Sequence, residues 1–255
     1  MKKLLVATVI ACAMLAAFGY GVSVGRHEAF PFQLLRDIKQ MAFPPPLPHE
    51  NWGPSYKRRL SHLRSLPESP VVVMIGDSIT REGEWREMLP EIPVANRGIG
   101  GDTTQGVLDR LNDSLDTSPE WVFVMIGIND LDHGIPVSTV VANIQTILST
   151  IQASGAAPVF QSTLHVGPVR PPSTNEKIAQ INDAVRQFCQ QSGIAFIDLN
   201  ASLAPNGSLE LPYTIDGVHL TGEGYTIWAE EVRRHIGPMP PEARTGVCHD
   251  GSITR

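Results

Sequence analysis

The chain has 255 residues, a hydrophobic fraction of 42% and a formal net charge of −6. That is room for one generous domain, or one domain with appendages, around a sizeable core; with no Lys/Arg-rich block in its body, the chain offers nucleic acid no partner surface. Cys12, Cys189 and Cys248 give no disulfide framework, and the eight histidines form no cluster with metal-ligand spacing, so a dedicated metal site is not expected.

Met1-Lys2-Lys3 is a short basic start, and Leu4 to Gly25 then carries no charge until Arg26. The stretch is long enough to span a bilayer and longer than the apolar region of a usual cleaved signal. Basic residues ahead of it favour an amino terminus held in the cytoplasm and an exported body. We rank an uncleaved anchor over 1–25 ahead of a signal cleaved after small residues near Gly19-Tyr20-Gly21, and lipidation at Cys12 last. The expected location is therefore a bacterial inner membrane with the folded part in the periplasm or outside the cell, or secretion after cleavage. Residues 26–50 read as a linker, stiffened by Pro44-Pro45-Pro46-Leu47-Pro48. The folded domain is expected over 51–237, with a loose tail over 238–255.

Tyr56 to Leu66 has the pattern of a basic amphipathic helix, facing either solvent or anionic lipid. Val71 to Ile75 is a continuous apolar run, the mark of a strand buried on both faces. It ends in Gly76-Asp77-Ser78. A helix or turn follows through Trp85 to Leu89, then a short strand, Pro93 to Asn96, running into Arg97-Gly98-Ile99-Gly100-Gly101-Asp102-Thr103-Thr104 and a helix to about Leu111. Trp121 to Ile126 is a third buried strand and ends in Gly127-Ile128-Asn129-Asp130. Val137 to Ala153 has helical spacing of Val140, Val141, Ile144, Ile147, Leu148 and Ile151. Pro158 to Phe160 is a fourth strand, Asn175 to Gln191 a helix stopped by Gly193, Ile194 to Asp198 a fifth strand, and Thr221 to His235 the last helix. Strands alternating with helices in this way predict an α/β fold, a three-layer α/β/α sandwich around a five-stranded parallel sheet.

Chemistry-bearing residues fall just past the strand ends, where open α/β sheets bind ligands. Ser78 follows the first strand, Gly101 the second and Asn129 the third; Asp216-Gly217-Val218-His219 comes after the fifth. Acyl transfer needs a nucleophile, a base oriented by a carboxylate, and donors for the oxyanion that develops. Ser78 fits the first role. Asp216 and His219, three residues apart on a turn, fit the second. The N–H groups of Ser78 and Gly101 and the side-chain amide of Asn129 fit the third. A helix-capping role for Asp77 or Ser78 is the plainer alternative. Asp77 and Asp102 read as loop braces, Trp85 and Trp228 as packing, and His62, His133 and His235 as residues of solvated faces. His165 lies on the ligand edge but is not counted among the site residues. Asn112, Asn200 and Asn206 match the glycosylation pattern, which matters only in a eukaryotic secretory pathway.

Gly76-Asp77-Ser78-Ile79, Gly98-Ile99-Gly100-Gly101-Asp102, Gly127-Ile128-Asn129-Asp130 and Asp216-Gly217-Val218-His219 appear in that order. Together they resemble the four blocks of the SGNH hydrolases, the GDSL esterase/lipase superfamily. The stretch from Arg97 to Thr104 is similar to that of platelet-activating-factor acetylhydrolase-like members. The resemblance implies a flavodoxin-like fold, nucleophile Ser78, acid–base pair Asp216 and His219, and oxyanion donors Ser78, Gly101 and Asn129, with no metal or cofactor. It implies a shallow, open site and a small acyl-ester substrate, with acetyl favoured over longer chains. Combined with the export segment, this leads us to expect an acylated polysaccharide or lipid outside the cytoplasm as the acyl bearer. Transfer of the acyl group to a sugar hydroxyl, or a catalytically idle membrane-tethered glycan-binding module, are the alternatives. The α/β-hydrolase elbow G-x-S-x-G does not fit, because position 80 is Thr.

Overall fold

The computed structural model describes residues 53–66 and 69–237. The expected anchor, linker and tail lie outside these residues, as does Cys248; among the described residues no helix is long and apolar enough to cross a membrane. The sheet follows from five short runs: β1 (Val72–Gly76), β2 (Val94–Gly98), β3 (Trp121–Met125), β4 (Ala157–Gln161) and β5 (Ala195–Ile197). All neighbouring pairs are parallel, and the order is β2-β1-β3-β4-β5. That order reverses between β1 and β3, so a crevice opens beyond their carboxyl ends.

Side chains alternate across each strand, and the core divides accordingly. Val73, Ile75, Val122 and Val124 pack on one face. They meet Val107 and Leu111 of α4 (Thr104–Leu115), the stripe Val140, Ile144, Ile147, Leu148 and Ile151 of α6 (Val137–Ala153), and Ile181, Val185 and Cys189 of α7 (Pro172–Ser192). Val72, Met74 and Phe123 face the other way. There they meet Trp85 of α3 (Trp85–Met88) and Tyr225, Trp228 and Val232 of α9 (Gly222–Ile236). Trp85 and Trp228 are packing residues: their rings cross edge to face at 4.8 Å. The result is the three-layer α/β/α architecture that the alternating pattern predicts.

The helix α1 (Pro54–Arg64) is amphipathic as read: Lys57, Arg58 and Arg64 are exposed, while Tyr56 and Leu63 are buried against Ile99. Two details differ from the sequence reading. His235 is not on a solvated face. Its ring meets the edges of Trp121 at 5.4 Å and Phe123 at 5.9 Å, and burial lowers its pKa. Asn200, despite its glycosylation pattern, is buried, with its amide donating to Ser162 Oγ and to the carbonyl of Thr163.

Candidate active site

β1 delivers Ser78 to the sheet's edge, and α2 (Ser78–Glu82) begins with it. Asp77 makes that abrupt start, its Oδ1 accepting from the N–H of Ile79 at 2.9 Å. The helix is pressed hard onto the sheet. A Cβ on Gly76 would stand 2.3 Å from the hydroxyl of Thr80, and one on Gly98 would stand 2.3 Å from the amide of Arg81. Larger residues at either position would push Ser78 out of place.

The loop ahead of α9 carries the second pair. Thr214 and Leu220 form an antiparallel bridge that closes the loop, and Gly217 N–H donates to Thr214 Oγ1 at 2.9 Å. Within it Asp216 Oδ1 accepts from the amides of Val218 (2.9 Å) and His219 (2.8 Å), and Oδ2 lies 2.6 Å from Nδ1 of His219. Burial pushes the Asp216 carboxyl up, but those hydrogen bonds outweigh it and hold the group ionised, well below the usual carboxylate range. An ionised Oδ2 makes Nδ1 the protonated nitrogen. Nε2 is then the acceptor for the Ser78 hydroxyl, 3.0 Å away. The two loops, 141 residues apart in sequence, are tied at a second point: Tyr225 Oη donates to the carbonyl of Ile79 at 2.6 Å.

Opposite this pair stand Gly101 and Asn129. Asp102 N–H closes a turn onto the carbonyl of Ile99 at 3.2 Å, with Gly101 at φ +76°. That is the positive φ that the third position of a type II turn requires. A Cβ on Gly101 would meet nothing within 4 Å, so conformation rather than crowding demands glycine there. Asn129 sits in α5 (Ile128–Asp132), where His133 Nδ1 lies 2.6 Å from its carbonyl. Its Nδ2 donates to the carbonyl of Asp102 at 2.9 Å, and its contact with Asp77 Oδ2 is longer, 3.4 Å. Ser78, His219 and Asn129 are half-buried, and Gly101 and Asp216 are exposed, which leaves an open site.

Three carboxylates brace this side from below. Asp102, fully buried, takes two hydrogen bonds of 2.8 Å from Arg110, whose Nη2 also reaches the carbonyl of Gly76 at 3.2 Å. Asp130 accepts from the amide and hydroxyl of Thr104, the latter at 2.6 Å. Burial raises its pKa to about 6 and that of Asp77 to about 7. The bracing roles read for Asp77 and Asp102 are thus visible as hydrogen bonds, but Asp130, Arg110 and Tyr225 were not singled out in the sequence. Nor was Arg81. Its guanidinium Nη1 would lie 3.3 Å from a Cβ on Gly100, and Ser78 Cβ lies 3.9 Å from the same point. The i, i+3 spacing of Ser78 and Arg81 on one helix was the available signal. His165 is half-buried, with its pKa lowered by burial.

Residues 74–227 match the GDSL-like Lipase/Acylhydrolase family. The chain is 32% identical over 171 residues to human platelet-activating factor acetylhydrolase IB subunit alpha1, covering 64% of this chain and 73% of that one. It is 30% identical over 185 residues to an N-acylneuraminate cytidylyltransferase of Streptococcus agalactiae, where it spans only 43% of the relative's length. Among solved structures, a GDSL-like lipase from Bacteroides thetaiotaomicron is 26% identical with a TM-score of 0.62, covering 71% of this chain and 96% of that one. An acetylxylan esterase from Geobacillus stearothermophilus shares the fold at 20% identity and a TM-score of 0.58, covering 68% and 96%. Family match, parallel sheet and relatives agree: the chain belongs to the GDSL-like lipase/acylhydrolase family, within the SGNH hydrolases.

Proposed function

We propose that the protein removes a short acyl group, acetyl in the first instance, from a glycan or lipid outside the cytoplasm, through an acyl-Ser78 intermediate. The observation that carries this reading is the hydrogen-bonded line Ser78 Oγ–His219 Nε2–Asp216, at 3.0 and 2.6 Å, set beside Gly101 and Asn129. As Oγ attacks the ester carbonyl, its proton passes to Nε2 and Asp216 stabilises the imidazolium. The negative charge moves to the former carbonyl oxygen. The amides of Ser78 and Gly101 accept no competing role, since among the described residues neither donates to another group. The Asn129 proton facing Asp77 is held loosely at 3.4 Å and is the one an oxyanion would draw. Collapse expels the alcohol, which takes the proton from Nε2. Water then attacks the acyl-enzyme by the same route, and Ser78 is regenerated.

The short acyl group is supported by the open rim and by the nature of two similar proteins, a platelet-activating factor acetylhydrolase and an acetylxylan esterase. The location is supported by the uncharged run from Leu4 to Gly25 behind Lys2-Lys3. Hydrolysis of p-nitrophenyl esters from acetyl to decanoyl, by the full chain and by Ser78→Ala, tests the chemistry. The expected result is cleavage that depends on Ser78 and falls with chain length. A preference for decanoyl would overturn the short-acyl reading, and equal rates with Ser78→Ala would overturn the nucleophile.

A further inference from the structure

At the tip of the Gly100–Gly101 turn Gly100 sits beside Arg81, but Gly101 is exposed and its Cβ position is empty. One helix grips both feet of the turn. On the incoming side, Arg59 of α1 donates from Nη2 to the carbonyl of Asn96 at 3.1 Å and from Nε to that of Gly98 at 3.3 Å. β2 is an edge strand, so these are carbonyls that no neighbouring strand claims. On the outgoing side, Tyr56 Oη donates to Asp102 Oδ1 at 3.2 Å, and the carbonyl of that same Asp102 receives the Asn129 amide. Between the feet, Ile99 is buried against Tyr56 and Leu63. Burial and the neighbouring Asp102 charge raise the Tyr56 pKa, so the phenol remains a donor. The helix lies ahead of the residues that match the family, 74–227.

We propose that α1 is a clamp on the oxyanion turn, with Tyr56 and Arg59 as positioning residues for the Gly101 amide and the Asn129 side chain. The proposal rests on the reading of Gly101 and Asn129 as oxyanion donors. Such donors work because they are fixed before the charge arrives, and a shift of ~1 Å costs on the order of 100-fold. A helix that merely covered the sheet edge would support stability and leave turnover alone.

The test uses the full chain and p-nitrophenyl acetate, with Tyr56→Phe, Arg59→Gln, their double variant, Arg59→Lys and Asn129→Ala. Tyr56→Phe keeps the ring that packs on Ile99 and removes only the hydroxyl, which protects the fold. Each clamp variant is expected to lower kcat by roughly 3- to 30-fold with KM within about twofold, the double variant by on the order of 100-fold. Arg59→Lys, which can still reach a carbonyl, is expected to recover part of the loss. Amide hydrogen exchange at residues 98–102 is expected to quicken in Tyr56→Phe while the sheet stays protected. If Asn129→Ala loses rate but Tyr56→Phe and Arg59→Gln keep theirs, the clamp is wrong and the oxyanion reading stands. If Asn129→Ala keeps its rate, the oxyanion reading falls and the clamp with it. A loss confined to Tm, with kcat unchanged, reduces α1 to an edge cover.

Discussion

Asp102 and Asp216 are both ionisable groups that serve the same Ser78, yet they are built into the molecule in opposite ways. Asp102 is 0% exposed and spends its oxygens on Arg110, Thr103 and Tyr56. Asp216 has a side chain 54% exposed, on a rim with His219 at 36%, and needs no cation beneath it. Two backbone amides and one imidazole suffice there because water shares the load. On the proposed mechanism the oxyanion side has to stay still while charge appears, which fits braces sunk in the core. The acid–base side has to trade protons with an entering alcohol or water, which fits its place at the surface. Cutting Asp102 should therefore cost fold, and cutting Asp216 should cost rate.

The largest expected effect is on the rim. Asp216→Asn keeps the shape but loses the charge that fixes the His219 tautomer, and turnover should drop by about 10,000-fold. Thermal unfolding should move little, and a comparable fall in Tm would break the contrast. Next comes Arg110→Met, which strands the Asp102 carboxylate in the core. A loss of about 3–5 kcal/mol in urea unfolding is expected. An unchanged midpoint would show that the buried side is no more structural than the rim.

The smallest effect is read from pH. Burial raises the Asp77 pKa to about 7, against about 4 in the unfolded chain. Between those values the folded state holds a proton that the unfolded chain releases, so this group makes stability fall as pH rises from about 4 to 7. Asp216 runs the other way. Its folded pKa is depressed, so its contribution is present above about pH 4 and is lost as pH falls further. Urea midpoints of the wild type and Asp77→Asn across this range should show a flatter slope in the variant. Identical slopes would remove Asp77 from the buried, proton-holding side.

Much of this was legible in the sequence. β1 and β3 are apolar runs cut off by Gly76-Asp77-Ser78 and Gly127-Ile128-Asn129, and strands buried on both faces leave that trace. The stripe of α6 and the left-handed Gly193 that ends α7 follow from period and capping alone. What stayed hidden depends on contacts far apart in the chain. Tyr56 meets Asp102 across 46 residues, and Tyr225 meets Ile79 across 146; a hydroxyl's partner leaves no periodic mark. His235 was a different kind of miss. Its neighbours Arg233 and Arg234 suggest solvent, but His235 shares one face of α9 with the buried Trp228 and Val232 and is itself half-buried. Asn200 shows the converse, a surface motif whose amide the fold uses inside.

The 141-residue separation of Ser78 and His219 also sets an order in time. During synthesis Ser78 and the loops of Gly101 and Asn129 emerge first, and β1, β2 and β3 can pair while the ribosome still holds the rest. A chain grown only as far as residue 215 has a serine with no imidazole beside it. The pair Asp216 and His219, and the tie from Tyr225 to Ile79, come only with the last part of the domain, so on the proposed mechanism an unfinished copy holds its serine unactivated.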